Sequence, residues 1–281
     1  MKVIIFGFTG ILGSEVTKSI NKKYELHLFN SKNINLLKKN DLLKISKLFK
    51  NAIIIYTAGY KRTLGDDFIN YKKNINCFLN ILEITEYYSP QKIIFFSSIE
   101  VFGAIEKKTK IDHNTPIKPF NSYAHSKVLQ EEALKFFSQK NNFDFLILRF
   151  PGVYTDKFST NSIVNKIAAS VAKSKKFTLF TSGKEKRDYF YFKDIRKIIK
   201  QIFKYNIKNE IINIGSGESL TINTIIQLVQ KNYNKKLYID KSIKNENNKE
   251  YDVIFNNKYL KKIMPDLRLI KLSEFNYRKI K

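Results

Sequence analysis

Three glycines, Gly7, Gly10 and Gly13, stand between the apolar run Lys2–Phe6 (KVIIF) and a helical pattern over Ile11–Asn21. Strand, glycine turn and helix in immediate succession leave the chain few options. Residues free to adopt positive φ let it reverse tightly, and a missing Cβ lets the helix lie close on the strand. The same turn aims backbone N–H groups and the positive end of a helix at one point, which suits a pyrophosphate. The spacing therefore predicts a dinucleotide held at Gly7, Thr9, Gly10, Ile11, Leu12 and Gly13, with the Thr9 hydroxyl adding a contact.

The alternation continues. Glu25–Phe29 (ELHLF), Ala52–Tyr56 (AIIIY), Lys92–Phe96 (KIIFF) and Phe145–Arg149 (FLILR) read as further strands. Helical patterns over Asp41–Lys50, Asp66–Tyr88 and Tyr123–Gln139 separate them. Nearly continuous apolar strands between helices imply a parallel sheet covered on both faces. After Pro151-Gly152 the pattern loosens. Helices are expected over Asn161–Lys173, Asp194–Tyr205 and Thr221–Tyr233, and short strands near Phe177–Phe180, Tyr189–Phe192, Glu210–Ile214 and Leu237–Ile239. The Lys- and Asn-rich stretch 241–250 reads as a loop, and the tail 256–281 starts as a helix. The expected fold is α/β: a doubly wound parallel (Rossmann) sheet with a smaller carboxyl-terminal α/β substrate domain. Residues 1–150 and about 189–205 would form the dinucleotide-binding part, and 151–188 with 206–281 the substrate part.

Composition narrows the function. No run of about 18 uncharged apolar residues occurs, which argues against a membrane span. The first residues lack a small-residue cleavage site, and the lone Cys77 cannot build a disulfide framework or a cysteine-rich metal site, so a reducing cytoplasm is expected. Three scattered histidines predict no metal centre. The net charge of +26 raises the question of nucleic acid. Nearly all of it is lysine spread along the chain, with arginine at 62, 149, 187, 196, 268 and 278 alone, so no specific nucleic-acid partner is expected. A phosphorylated small substrate makes simpler use of that charge.

The residues after the second strand are Asn30, Ser31 and Lys32, with no acid before Asp41. A carboxylate there would suit the ribose diol of NAD, whereas a small polar group and a cation suit the NADP phosphate. NADP is therefore favoured over NAD. Further along, Tyr123 and Lys127 lie four apart, on one face of a helix. A phenol is a poor base near neutral pH, and an adjacent ammonium stabilises its phenolate. Ser97 and Ser98 close the fourth strand, 25 residues before Tyr123 in the case of Ser98, where loop residues reach the ligand crevice.

The glycine turn, Ser98 and the Tyr123/Lys127 pair together resemble the extended short-chain dehydrogenase/reductase family, in its NAD-dependent epimerase/dehydratase branch acting on nucleotide sugars. Further segments match in order: Thr57-Ala58-Gly59, Asn74, Ser98 to Gly103, Arg149 to Tyr154, Arg187-Asp188-Tyr189 with Asp194, and Asn213 to Gly217 with Thr221. The resemblance implies Tyr123 as general acid/base, Lys127 as its electrostatic partner and Ser98 as the group orienting a sugar oxygen. It implies cofactor contacts at Thr57, Ala58, Gly59, Asn74, Ser97, Phe150 and Pro151, and substrate contacts at Ser98, Gly152, Asn161 and Arg187. A homodimer is implied in the same way. Gly152 stands where the family has asparagine, and Phe102 where it has tyrosine. Ile99 separates Ser98 from Glu100, which removes one acid of a 4,6-dehydratase and leaves Glu100 as a candidate catalytic carboxylate. The reaction expected is reduction of a 4-keto nucleotide-diphosphate sugar. The alternatives are a 4-epimerase, dehydratase or decarboxylase with tightly bound NAD, and a non-catalytic nucleotide- or RNA-binding relative.

Overall fold

The computed structural model describes residues 1–60, 65–105, 109–240 and 250–281. The 241–250 loop therefore lies almost entirely outside the described residues. Among these residues six strands form one parallel sheet: β1 (Lys2–Phe6), β2 (Glu25–Phe29), β3 (Ile53–Tyr56), β4 (Lys92–Ser98), β6 (Asp144–Phe150) and β10 (Glu210–Asn213). Their order is β10-β6-β4-β3-β1-β2, and every neighbouring pair is parallel. Strands β1, β3 and β4 read as apolar runs because they are buried on both faces. One core cluster joins Val3, Ile5, Ile94 and Leu148 on one face of the sheet, and a second gathers Ile4, Ile54, Phe95 and Ile147 on the other. The alternation of residue numbers between the two clusters is the strand period of two.

Helices α1 (Ile11–Ser19), α3 (Phe68–Ile84), α4 (Ser122–Lys140) and α6 (Ile195–Lys204) cover that sheet. Side-chain caps set where two of them start. Asp67 accepts from Asn70 N to open α3, and Asn121 accepts from Ala124 N to open α4. The segment expected as one helix over Asp41–Lys50 is shorter. It comprises α2 (Lys39–Leu43) and a separate 3-10 turn over Ser46–Phe49. The Ser46 hydroxyl donates to Leu43 O at 2.8 Å, a local bond that competes with helix propagation. Several helix-to-strand returns take left-handed backbone on asparagine rather than glycine, at Asn51, Asn142 and Asn209.

The later residues make a second core around Tyr154, Ile167, Leu179, Tyr191, Ile226 and Tyr277. It is built on α5 (Ile163–Ala172), α7 (Ile222–Tyr233) and a three-stranded sheet in which β9 (Lys186–Tyr191) lies between β7 (Gly152–Tyr154) and β11 (Ser219–Thr221). Strands β7 and β11 carry three residues each, too few to show alternation in the sequence. Two minor pairings complete the architecture: β5 (Lys110–Ile111) with β13 (Ile254–Phe255), and β8 (Phe177–Thr178) with β12 (Ile239–Asp240). Strand β10 sits in the main sheet beside β6, and Ile212, Leu260 and Met264 pack into its core. Residues 206–281 are thus shared between the two cores rather than confined to the second.

A buried ion pair locks α4 to the sheet. Arg149 on β6 donates through Nη2 to Glu131 Oε2 at 2.5 Å and through Nε to Oε1 at 3.0 Å. The Ser97 hydroxyl donates to the same carboxylate, and the guanidinium lies 5.0 Å from the Phe102 ring centroid. Breaking one side of such a pair strands the other charge in a dry interior. Glu131→Gln is expected to cost about 3–5 kcal/mol in denaturant unfolding, and Glu131→Leu combined with Arg149→Met to cost much less.

Candidate active site

The chain order reverses between β1 and β3, and the carboxyl ends of these strands define the ligand crevice of such a sheet. The Thr57 hydroxyl donates there to Phe6 O at 2.9 Å, which joins the two strand ends. Gly7, with φ +87°, packs so closely that an added Cβ would lie 2.8 Å from Ala58 N. A Cβ on Gly13 would lie 2.7 Å from Thr57 Oγ1 and overlap the Gly7 carbonyl. The glycines are thus required for α1 to seat on β1 and β3. Thr9 and Gly10 are exposed at the mouth of that turn, ahead of the amino terminus of α1 where Ile11 and Leu12 begin. This cradle fits a dinucleotide pyrophosphate.

Beyond β2, Asn30 Oδ1 accepts from Lys32 N at 2.9 Å and Asn33 Oδ1 accepts from Asn30 N at 2.7 Å. Ser31 and Lys32 are exposed on this turn. The next acid along the chain, Asp41, is engaged by Lys44 Nζ at 2.9 Å and by Asn35 N at 3.2 Å. No carboxylate follows β2 directly.

Gly59, Asn74 and Lys127 converge although they come from three elements. A Cβ on Gly59 would lie 3.4 Å from Asn74 Oδ1 and 3.8 Å from Lys127 Nζ. The missing side chain leaves a groove beside the ammonium. Asn74 is buried, accepts from Tyr60 N at 2.8 Å and donates to Tyr60 O at 3.0 Å. Its amide therefore shapes the loop after β3. The Ser97 hydroxyl is likewise committed to Glu131, and the Phe150 side chain packs between Phe96 and Phe190. Phe150 and the buried Pro151 can offer the crevice only backbone and ring edges.

Tyr123, Lys127 and Ser98 come together as their spacing implies. Lys127 Nζ donates to Phe96 O at 3.0 Å and lies 5.9 Å from the Tyr123 ring centroid. The Ser98 hydroxyl lies beside the Tyr123 phenol and accepts from Glu100 N at 3.2 Å. Burial, with the Glu100 charge adding to it, raises the phenol well above its ordinary value, while the neighbouring Ser98 hydroxyl lowers it. Burial pushes the Lys127 ammonium down to about 8, against the opposing charge of Glu131. His125 points away from this pair to Tyr71, at 3.0 Å from its hydroxyl. Cys77 is buried, with its thiol raised to about 11.

The substrate candidates fare unevenly. Arg187 donates to Tyr251 O and stacks on the Tyr251 ring at 4.2 Å. Gly152 pairs with Tyr189 across β7 and β9, and a Cβ at 152 would lie 2.8 Å from that ring. Tyr189 therefore fills the space that an asparagine at 152 would need. Asn161 is an exposed residue ahead of α5, whereas Asn165 is buried and holds Thr155 and Lys157. Two carboxylates that were not among the expected site residues also shape this region. Asp188, raised to about 7 by burial, accepts from Ser216 N at 3.1 Å and so fixes the loop after β10. Asp66 Oδ1 accepts from Tyr123 N at 3.1 Å. Neither could be read from spacing, because both partners are distant in sequence.

The depressed Lys127 value has a measurable consequence. The unfolded lysine holds its proton up to 10.5 and the folded one only to about 8, so its penalty is full below 8 and fades as pH rises to 10.5. Lys127→Met is expected to raise the thermal midpoint by a few degrees near neutral pH, with the gain fading across that window in a pH series of melts.

Comparison with known proteins agrees with this geometry. The profile of the NAD dependent epimerase/dehydratase family matches residues 3–215. A putative UDP-glucose 4-epimerase of Methanocaldococcus jannaschii is 26% identical over 251 residues, 81% of this chain and 81% of the relative. A dTDP-4-dehydro-6-deoxyglucose reductase of Escherichia coli is 29% identical over 184 residues, 60% of this chain and 56% of the relative. Among solved structures, the UDP-glucose 4-epimerase of Thermus thermophilus in complex with NAD superposes with a TM-score of 0.83 at 18% identity, covering 100% of this chain and 97% of that one. With a family match over 3–215 and the glycine cradle, Ser98, Tyr123 and Lys127 in place, the chain belongs to the NAD dependent epimerase/dehydratase family.

Proposed function

We propose that the protein reduces a keto group at C4 of a nucleotide-linked sugar, with NADPH as the favoured cofactor. The observation that carries the reading is the Ser98–Tyr123–Lys127 cluster beside the glycine cradle, with a phenol held in its protonated form. A nicotinamide cofactor, when bound, supplies the hydride. The chain's own residues handle the oxygen. Ser98 donates to it, Tyr123 gives it a proton, and Lys127 stabilises the resulting phenolate by charge. Arg187, held against Tyr251, is positioned to take the diphosphate, and Gly7, Gly10 and Gly13 the cofactor pyrophosphate. The turn after β2, with Ser31 and Lys32 exposed and no carboxylate, supports NADPH over NADH.

A second reading is a 4-epimerase that keeps NAD bound, oxidises the sugar and returns the hydride to the other face. The names of the M. jannaschii relative and of other relatives favour it. In either reading the substrate lies between the sheet and the second core, with β10 counted to the sheet. The exposed Leu79 on α3, with Leu129 and Phe136 on α4, supports a homodimer across those helices.

Identification of the dinucleotide released on denaturation separates the two. A protein purified empty and preferring NADPH in a binding titration supports reduction, and retained NAD supports epimerisation. Binding of neither would overturn both readings. Tyr123→Phe is expected to lower turnover about a thousandfold while leaving cofactor affinity unchanged. The assay is NADPH oxidation with a dTDP-linked 4-keto-6-deoxyhexose, or epimerisation of UDP-glucose if NAD is found. Lys32→Ala is expected to weaken NADPH about tenfold in the same titration and to leave NADH unaffected.

A further inference from the structure

The carboxylate beside the Tyr123 phenol is held by a residue outside the recognised motifs. Glu100 lies in the 3-10 turn Ile99–Phe102 that follows β4, and it is half-buried. Asn121 Nδ2 donates to Glu100 Oε2 at 2.9 Å. The other end of the same amide, Asn121 Oδ1, accepts from Ala124 N at 2.7 Å and caps α4. Tyr123 sits inside that capped first turn, so one side chain sets both the carboxylate and the helix end that carries the phenol.

We infer that Asn121 is a positioning residue: it clamps Glu100 beside the Tyr123 phenol and thereby presents Tyr123 as a proton donor. The inference rests on the reading of Tyr123 as acid/base. A simple helix cap needs only an acceptor oxygen, which serine, threonine or aspartate supplies equally well. Asparagine adds the N–H donor that a carboxylate across the gap can use. A negative charge held near a phenol disfavours its ionisation. The groups facing Tyr123 are Glu100 and Ser98 from the end of β4, Lys127 from its own helix, and Asp66, whose carboxylate meets the Tyr123 backbone N–H. Burial raises the phenol most and Glu100 adds to it, while the Lys127 ammonium, 5.9 Å from the ring centroid, favours phenolate, so moving Glu100 shifts the phenol. A site that must deliver a proton to an alkoxide gains from that push.

The test reads the phenol directly and needs neither cofactor nor substrate. A fluorinated tyrosine, whose phenol is intrinsically more acidic, is incorporated at position 123 of the full chain, and its ionisation is followed by fluorine NMR. Glu100→Gln is expected to lower the midpoint by about one pH unit. Asn121→Ser keeps the cap, removes the Nδ2 donor in favour of a shorter hydroxyl, and is expected to lower the midpoint by a similar amount. The double variant should go no further than Glu100→Gln alone. Asn121→Thr serves as a second cap-preserving variant if the serine protein folds poorly. An unchanged midpoint in Asn121→Ser, with Glu100→Gln lowering it, would show Asn121 to be only a cap and overturn the inference. No movement in either variant, or fully additive movements, would overturn it as well. Failure of the reading beneath it has a different signature: Tyr123→Phe would retain turnover while these midpoints still shifted.

Discussion

The bidentate contact of Arg149 with Glu131 fixes where α4 stands, and the candidate site follows from that. Arg149 is the penultimate residue of β6, whose register with β4 sets Ser97 opposite it and Ser98 opposite Phe150. Glu131 lies four residues beyond Lys127, which lies four beyond Tyr123, so the three share one helical stripe. Once Glu131 is drawn to Arg149 and Ser97, Lys127 meets the Phe96 carbonyl and Tyr123 meets Ser98. The pair is buried, so its contribution to net stability is small beside the cost of losing one partner. Its return is geometric: it aligns a helix on a strand end within hydrogen-bond distances.

Local pattern carried much of this. The apolar strands, the glycine turn and the Tyr/Lys spacing are each set by neighbours in sequence, and each forms where expected. Their meeting at the β1/β3 reversal follows from the general topology of parallel sheets. What sequence could not show depends on distant partners. Asn74 resembles a cofactor ligand in position, yet its amide closes on Tyr60. Ser97 looks like a free hydroxyl at a strand end, yet Glu131 takes it. The absent asparagine at 152 is explained only when Tyr189 is seen lying over Gly152 from the adjacent strand. Strand β10 was separable from the later domain only by pairing, since its four residues carry no mark of the sheet they join.

Composition misleads in one instructive way. The chain has 10 glycines, and tight returns that glycine would ordinarily serve fall to Asn51, Asn142, Asn206, Asn209 and Asn234 at positive φ. Asparagine tolerates that region through local hydrogen bonding. Asn209 also holds its strand in place, accepting from Phe145 N at 3.0 Å and donating to Asp144 Oδ1 at 2.8 Å. The glycines that remain at Gly7 and Gly13 are those where a Cβ would collide with backbone or Thr57. At Gly13 space alone requires glycine, whereas at Gly7 space and a φ of +87° require it together.

The electrostatics of the site run against its own stability. Burial disfavours both charged forms, so the phenol is pushed up and the ammonium down, each toward neutrality. Glu131 opposes this at Lys127 and keeps it able to hold a proton, while Glu100 acts in the same direction as burial at Tyr123. The two carboxylates thus bias the pair the same way, toward a protonated lysine beside a protonated phenol. That is the state required to donate a proton to a newly formed alkoxide, and an enzyme working mainly as a base would need the opposite bias at the phenol. The charge around Tyr123 is set by groups from three places, the end of β4, its own helix and the surrounding burial, while the turn after β2 is built by local asparagine bonds alone, so the two ends of the crevice are shaped independently.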